Sequence, residues 1–163
     1  MTHGGDDDGS RSTGRAGGGF AAAAAVATAA GNVALEALAL SRAGDVAGAL
    51  ALLRAARDNG PLDEAATSLL FNLLQDIADD EDFAERLALC DHGLSLALRP
   101  VTRSSWHLRR GTLHLAARHR AGALADLQAV LRLKASDDHT TQAQKALLAV
   151  AELPAPTPPR RRP

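Results

Sequence analysis

Residues 44–61 read GDVAGALALLRAARDNGP, with an Ala-Leu pair inside a helix-patterned run that follows a Gly-Asp turn and ends at a proline. The Ala-Leu pair and its helical spacing recur in residues 82–100, DFAERLALCDHGLSLALRP, and in residues 120–133, RAGALADLQAVLRL. A second helix-patterned run precedes each copy. A unit of roughly 34 residues built from two helices is typical of helical solenoids, which present a surface to partners. The sequence therefore predicts an all-α helical solenoid of three helix pairs plus a C-terminal capping helix.

Apolar spacing and turn residues together place the helices. Gly44 can supply the left-handed backbone that ends one helix, and Asp45 can cap the next. Apolar residues three and four apart define the faces that pack. On the third helix these are Leu70, Leu73, Leu74 and Ile77. The predicted helices are Asn32–Ala43, Val46–Arg57, Leu62–Asp79, Phe83–Leu98, Thr102–Arg118, Ala121–Lys134 and Thr140–Leu153.

The two ends of the chain differ in composition from the repeats. Residues 1–19 hold seven glycines and almost nothing apolar, so they cannot bury enough surface to become ordered. Residues 154–163, PAPTPPRRRP, cannot form a helix. We predict a disordered Gly/Asp-rich leader and a disordered Pro/Arg tail. Between them we expect an Ala-rich lead-in helix over residues 20–31 and the repeat domain over residues 32–153.

The segment FAAAAAVATAA, residues 20–30, has the outline of a signal peptide with small residues at a cleavage site. However, Asp6, Asp7 and Asp8 precede it where basic residues would be expected, and alanine enters membranes poorly. We favour a packed helix and a cytoplasmic protein, with secretion as the alternative. Because no stretch of about 18 strongly apolar residues occurs, no membrane-spanning helix is expected.

Composition and spacing argue against several functional classes. The formal net charge is −1 and only four residues are aromatic, whereas nucleic-acid binding favours basic surfaces interleaved with aromatic rings. His107 and His114 share a helix face two turns apart, and the residue between them is Arg110, which cannot ligate a metal. Cys90 and His92 point to different sides of a helix, so no base is placed beside the thiol. We expect no catalytic residue, no metal and no cofactor.

The third unit carries the clearest family pattern, with Arg110 and Gly111 on its first helix and Ala123 and Leu124 on its second. Over residues 32–153 the chain resembles tetratricopeptide repeat (TPR) proteins, and the resemblance implies a right-handed solenoid. The resemblance implies that a small residue of each first helix faces an alanine of the second, as in the pairs Gly111–Ala123 and Ala37–Ala49. The stretch Leu108–Leu153 also loosely resembles the C-terminal TPR tail of bacterial transglutaminase-like proteins, which implies a detached accessory module.

Two charges flank the close contact that the third unit predicts. Arg110 directly precedes Gly111, and Asp126 follows Ala123 by three residues. An unpaired charge at this contact would be costly to bury. We therefore predict that Arg110 pairs with Asp126 across the two helices.

In the TPR family one stripe of each first helix lines a concave groove. The groove residues that the resemblance implies here are Leu38, Arg42, Phe71, Gln75, Leu108, Thr112 and Leu115. This stripe is largely apolar, which favours a peptide or a helix as ligand. Phe71 is either an exposed anchor for the partner or a core residue. The carboxylate clamp of chaperone-binding TPRs is not expected, because Asn72 and Arg109 match it but Ala34, Leu38 and Ser105 do not.

These observations predict a non-catalytic protein–protein interaction module that binds a protein or peptide, with no role for nucleic acid or membrane. The alternative is an oligomerising or accessory structural subunit whose groove is filled by its own N-terminal helix or by a second copy, which would make it a homo-oligomer.

Overall fold

The computed structural model describes residues 32–77 and 82–154, and every helix or strand assigned within them is a helix. The all-α class is confirmed. The predictions for residues 1–31 and 155–163, and for Asp79 as a helix end, lie outside the described residues. The helices are α1 (32–42), α2 (Val46–Asn59), α3 (Glu64–Ile77), α4 (Phe83–Leu96), α5 (Pro100–Ala116), α6 (Arg120–Leu133) and α7 (Asp137–Glu152).

The turn between α1 and α2 forms as its residues predict. Gly44 has a φ of 88°, and the Asp45 side chain accepts a hydrogen bond of 2.8 Å from the backbone N–H of Gly48. Two other helices begin earlier than the apolar spacing indicated. Pro100 occupies the first turn of α5, where its missing N–H costs nothing, and Ser136 caps α7 through the N–H of His139.

Helices that contact one another are close in sequence. Each helix from α2 to α7 packs against the next, and α5 also contacts α7; the contact between α5 and α6 is the largest. One cluster of buried side chains joins α1 to α5, and a second joins α5, α6 and α7. The second cluster is Leu108, Ala123, Leu127, Val130, Ala143 and Val150.

The third helix follows its predicted inward stripe except at its end. Leu70, Leu73 and Leu74 are buried, whereas Ile77 is 48% exposed, so its assignment to the core was wrong. Ile77 is the last residue of α3. None of the helices in residues 32–77 and 82–154 combines the length and apolar character needed to cross a membrane.

Helices α5 and α6 approach each other closely at Gly111, as predicted. However, the residues of α6 nearest to Gly111 are not the predicted ones. A Cβ at Gly111 would lie 3.0 Å from Leu127 Cδ2 and 3.2 Å from the Cβ of Asp126. These residues lie about one turn beyond Ala123, the residue that the TPR resemblance placed opposite Gly111. A glycine is needed here because α6 presents the large Leu127 side chain to it.

Charged side chains join α2 to α4 within the chain. The Arg54 guanidinium lies 2.6 Å from Glu85 and 3.0 Å from Asp82, and Arg57 also contacts Glu85. The hydrogen bond from Arg54 is the main cause that lowers the pKa of Glu85. Asp82 and Glu85, at the start of α4, therefore form ion pairs with arginines of α2.

Candidate functional site: the pocket between α3 and α5

Phe71 is a core residue, with 1% of its surface exposed. Its ring meets the indole of Trp106 edge-on, at 5.9 Å between centroids and an interplanar angle of 87°. The sequence left two roles open for Phe71, an exposed anchor for the partner or a core residue. The structure shows that Phe71 is a core residue, so the prediction of an exposed anchor was wrong. Phe71 instead forms part of the floor beneath a charged side chain.

Trp106 is held against α4 by a close backbone approach. The indole is 1% exposed, and a Cβ built at Gly93 would lie only 2.2 Å from its Cε2 atom. No side chain larger than hydrogen can occupy position 93 without moving the ring. Gly93 thus sets the depth at which Trp106 lies between α4 and α5.

Arg109 lies above both rings. Its guanidinium carbon is 4.5 Å from the Trp106 centroid and 5.1 Å from the Phe71 centroid, within cation–π range. Its Nη1 donates a 3.0 Å hydrogen bond to the hydroxyl of Ser68 on α3. Burial lowers the pKa of Arg109, and no carboxylate within the described residues pairs with it.

A pocket of about 230 Å³ opens beside this stack, between α3, α5 and the first turn of α7. Hydroxyl groups and two oppositely charged side chains line it, with one aliphatic side chain at the start of α5. Its lining residues are Glu64, Ser68, Val101, Thr102, Ser105, Trp106, Arg109 and His139. His139 Nδ1 lies 3.2 Å from the buried Ser104 hydroxyl, which fixes the imidazole at the α7 side. The arrangement can hold a small polar group against a fixed cation.

The residues predicted to line the groove do not form one open apolar surface. Arg42, Gln75 and Thr112 are exposed, Leu38 and Leu115 are half-buried, and Leu108 is buried in the second core cluster. Leu115 packs against that same cluster. With Phe71 and Leu108 inside the protein, the largest apolar members of the predicted stripe stabilise the fold.

The predicted pairing of Arg110 with Asp126 is confirmed. Arg110 Nε donates to Asp126 Oδ2 at 2.9 Å and Nη2 donates to Oδ1 at 2.8 Å, while Arg110 also contacts Asp91 on α4. His107 adds a 2.9 Å hydrogen bond to Asp126 Oδ1. Burial alone would raise the pKa of Asp126, but the hydrogen bonds from Arg110 and His107 outweigh it and hold that pKa below its usual value.

Cys90 and His114 are two further side chains whose pKa values are shifted by burial. Burial raises the pKa of Cys90 to about 12, so the thiol is not a nucleophile at neutral pH. Burial lowers the pKa of His114, whose Nδ1 has no hydrogen-bond partner within the described residues. No three His, Cys, Asp or Glu side chains in residues 32–77 and 82–154 are grouped so as to hold a metal ion.

In the sequence, Arg109 and Ser105 were considered only as positions of a carboxylate clamp, and the pocket itself was not predicted. Ser68 and Arg109 are 41 residues apart, and nothing in their local spacing connects them. Serines are common on exposed helix faces, so Ser68 and Ser105 carry no signal of their own. α5 has no acidic residue, so the lack of an acidic partner on the same helix distinguishes Arg109 from neither Arg103 nor Arg110.

No protein-family model, curated protein or solved structure matches this chain.

Proposed function

We propose that this chain is a non-catalytic protein–protein interaction module of the TPR type, and that it binds a segment of a partner protein at the pocket between α3 and α5. Helix contacts restricted to near neighbours in sequence support a solenoid, because each unit of such a fold packs only on adjacent units. The close seams at Gly111 and Gly93 also support helix pairs in tight contact.

Arg109 is the observation that carries this proposal. A half-buried guanidinium with one hydroxyl acceptor is only partly compensated for its lost hydration. The rings of Trp106 and Phe71 hold it in place, so little side-chain entropy is lost when a ligand binds. A carboxylate from a partner would complete its hydrogen bonds with favourable charge.

The pocket differs from the apolar groove that the family resemblance implied. Five of its eight lining residues carry a hydroxyl or a charge, and Val101, which is 41% exposed, is its aliphatic edge. The partner segment is therefore one with an acidic side chain, bound through directed polar contacts.

Selection from a random peptide display library on the immobilised protein tests the proposal without a known partner. Peptides retained by the native protein are expected to be enriched in Asp and Glu. The Arg109→Gln variant should bind the selected peptides more weakly by about 1.5–3 kcal/mol, the range for hydrogen bonds to charged groups.

The matched control is Arg103→Gln, since Arg103 is an exposed arginine on the same helix outside the pocket. This variant should retain the acidic peptides with unchanged affinity. Equal enrichment on the native protein and on the Arg109→Gln variant would contradict the proposal.

A further inference from the structure

Glu64 lines the same pocket as Arg109, yet the two do not pair. Glu64 is exposed in the first turn of α3, and no cation within the described residues lies within ion-pair distance of it. A small pocket thus presents a fixed positive group and an unpartnered negative group to the same ligand. A purely acidic ligand would satisfy the first and be repelled by the second.

The hydroxyl that accepts the hydrogen bond from Arg109 lies about one helical turn from Glu64 along α3. Ser68, which accepts the hydrogen bond from Arg109, follows Glu64 by four residues on α3. Residues four apart on a helix are neighbours, with roughly 5–6 Å between their Cβ atoms. The side chains of alternate residues in an extended peptide point to the same side and lie roughly 6–7 Å apart.

We infer that the pocket recognises an extended partner segment that carries an acidic and a basic side chain at alternate positions, the acidic one on Arg109 and the basic one on Glu64. This inference rests on the proposed function, which requires only the acidic contact. Opposite fixed charges contribute more to selectivity than to affinity, because a ligand with two like charges meets one repulsive group. The hydroxyls of Ser68, Thr102 and Ser105 can bind either charge and so leave the choice to Arg109 and Glu64.

Synthetic pentapeptides with capped ends test the charge pattern directly. The probes are Ala-Glu-Ala-Lys-Ala and Ala-Lys-Ala-Glu-Ala, which cover both chain directions, and the comparison peptides carry two Glu, two Lys or two Gln. Binding is followed by NMR titration at low ionic strength, where exposed charges are least screened. One of the mixed peptides should bind the native protein roughly three- to tenfold more tightly than the peptide with two Glu, as expected for one exposed ion pair gained and one repulsion avoided.

Reversing the charge of Glu64 should reverse the preference. The peptide with two Glu should be the tightest ligand of the Glu64→Lys variant. The Glu64→Gln variant should bind the peptide with two Glu as tightly as the mixed peptide. Asp76→Lys is the matched control, because Asp76 is exposed on the same helix and lies outside the pocket. This control should keep the preference of the native protein for the mixed peptide.

The outcomes separate this inference from the proposed function. If the native protein binds the mixed peptides and the peptide with two Glu equally, and Arg109→Gln weakens both, the charge-pair inference is overturned while the acidic contact stands. If no peptide binds in a manner that depends on Arg109, the proposed function fails as well. A reversal in Glu64→Lys that is absent in Asp76→Lys supports the inference.

Discussion

Asp126 is a carboxylate with 4% of its surface exposed, and its hydrogen bonds come from Arg110 and His107 on the neighbouring helix. A buried ion pair of this kind adds little over an apolar pair of the same shape, since both ions lose their hydration. Removing one partner is costly because the other charge stays buried. The pairing therefore specifies how α5 meets α6.

A double-mutant cycle measures this effect. Asp126→Leu alone should lower the free energy of unfolding by about 1–3 kcal/mol, because Arg110 loses its hydrogen bonds to Asp126 while its contact with Asp91 remains. Arg110→Met alone should also destabilise, and the double variant should cost less than the sum of the two. Urea denaturation of the four proteins gives the values. Asp91→Asn, which touches Arg110 from the exposed side, is the control and should cost less than about 1 kcal/mol. Strictly additive losses would show that the pair is not coupled.

Gly111 gives a second prediction at the scale of one residue. Helix propensity alone would favour Gly111→Ala, but a Cβ there meets Leu127, which is fully buried, and Asp126, which is held by its ion pair. We expect Gly111→Ala to lose about 1 kcal/mol in spite of the better propensity, and Gly111→Leu to lose about 1–3 kcal/mol or more.

Gly60→Ala is the control for that series. A Cβ at Gly60 would have nothing within 4 Å, and its φ of 166° is extended backbone that any residue adopts. This change should leave thermal stability unchanged or raise it slightly. A Gly111→Ala protein with a raised melting temperature would show that the seam has room to spare.

At the scale of elements, α4 reaches the candidate pocket without lining it. Gly93 on α4 lies against the Trp106 indole, Trp106 supports Arg109, and Arg109 reaches Ser68 on α3. The position of the guanidinium thus depends on the spacing between α5, which lines the pocket, and α4, which does not. Close packing makes this dependence steep, because an interior has no free volume in which a displaced ring can settle.

Gly93→Ala should move Trp106 and with it Arg109. The added methyl group overlaps the ring, so a loss of about 1–3 kcal/mol of stability is expected from overpacking. Trp106 is the single tryptophan of the chain, so its fluorescence reports the displacement directly as a shift toward the emission of a solvated indole. Binding of acidic peptides should fall in parallel. An unchanged emission spectrum would contradict the close approach seen at Gly93.

At the scale of the whole molecule, stability is distributed along the chain of helices. The largest contacts are those of α6 with α5 and with α7, whereas the contact of α2 with α3 is the smallest between successive helices from α2 to α7. A fold whose helices pack mainly on near neighbours in sequence opens from its ends, since each terminal unit has one neighbour instead of two.

Native-state hydrogen exchange should resolve this gradient. We expect the slowest amide exchange in α5 and α6, and faster exchange in α1 and α2, which open without unfolding the rest. Amide exchange rates measured at several low urea concentrations give the free energy of opening of each helix. Exchange of all helices with one common free energy would indicate a single cooperative unit.

The sequence by itself determined the helices, the cap at Asp45, the close seam at Gly111 and the pairing of Arg110 with Asp126. These features depend on spacings of three and four residues, or on two helices joined by a short turn, so local chemistry was enough to specify them. Only the tertiary structure decided that Phe71 is buried and that Arg109 faces Ser68 across a pocket. Periodicity shows which helix face is apolar, but which distant helix covers that face depends on packing between residues far apart in the chain.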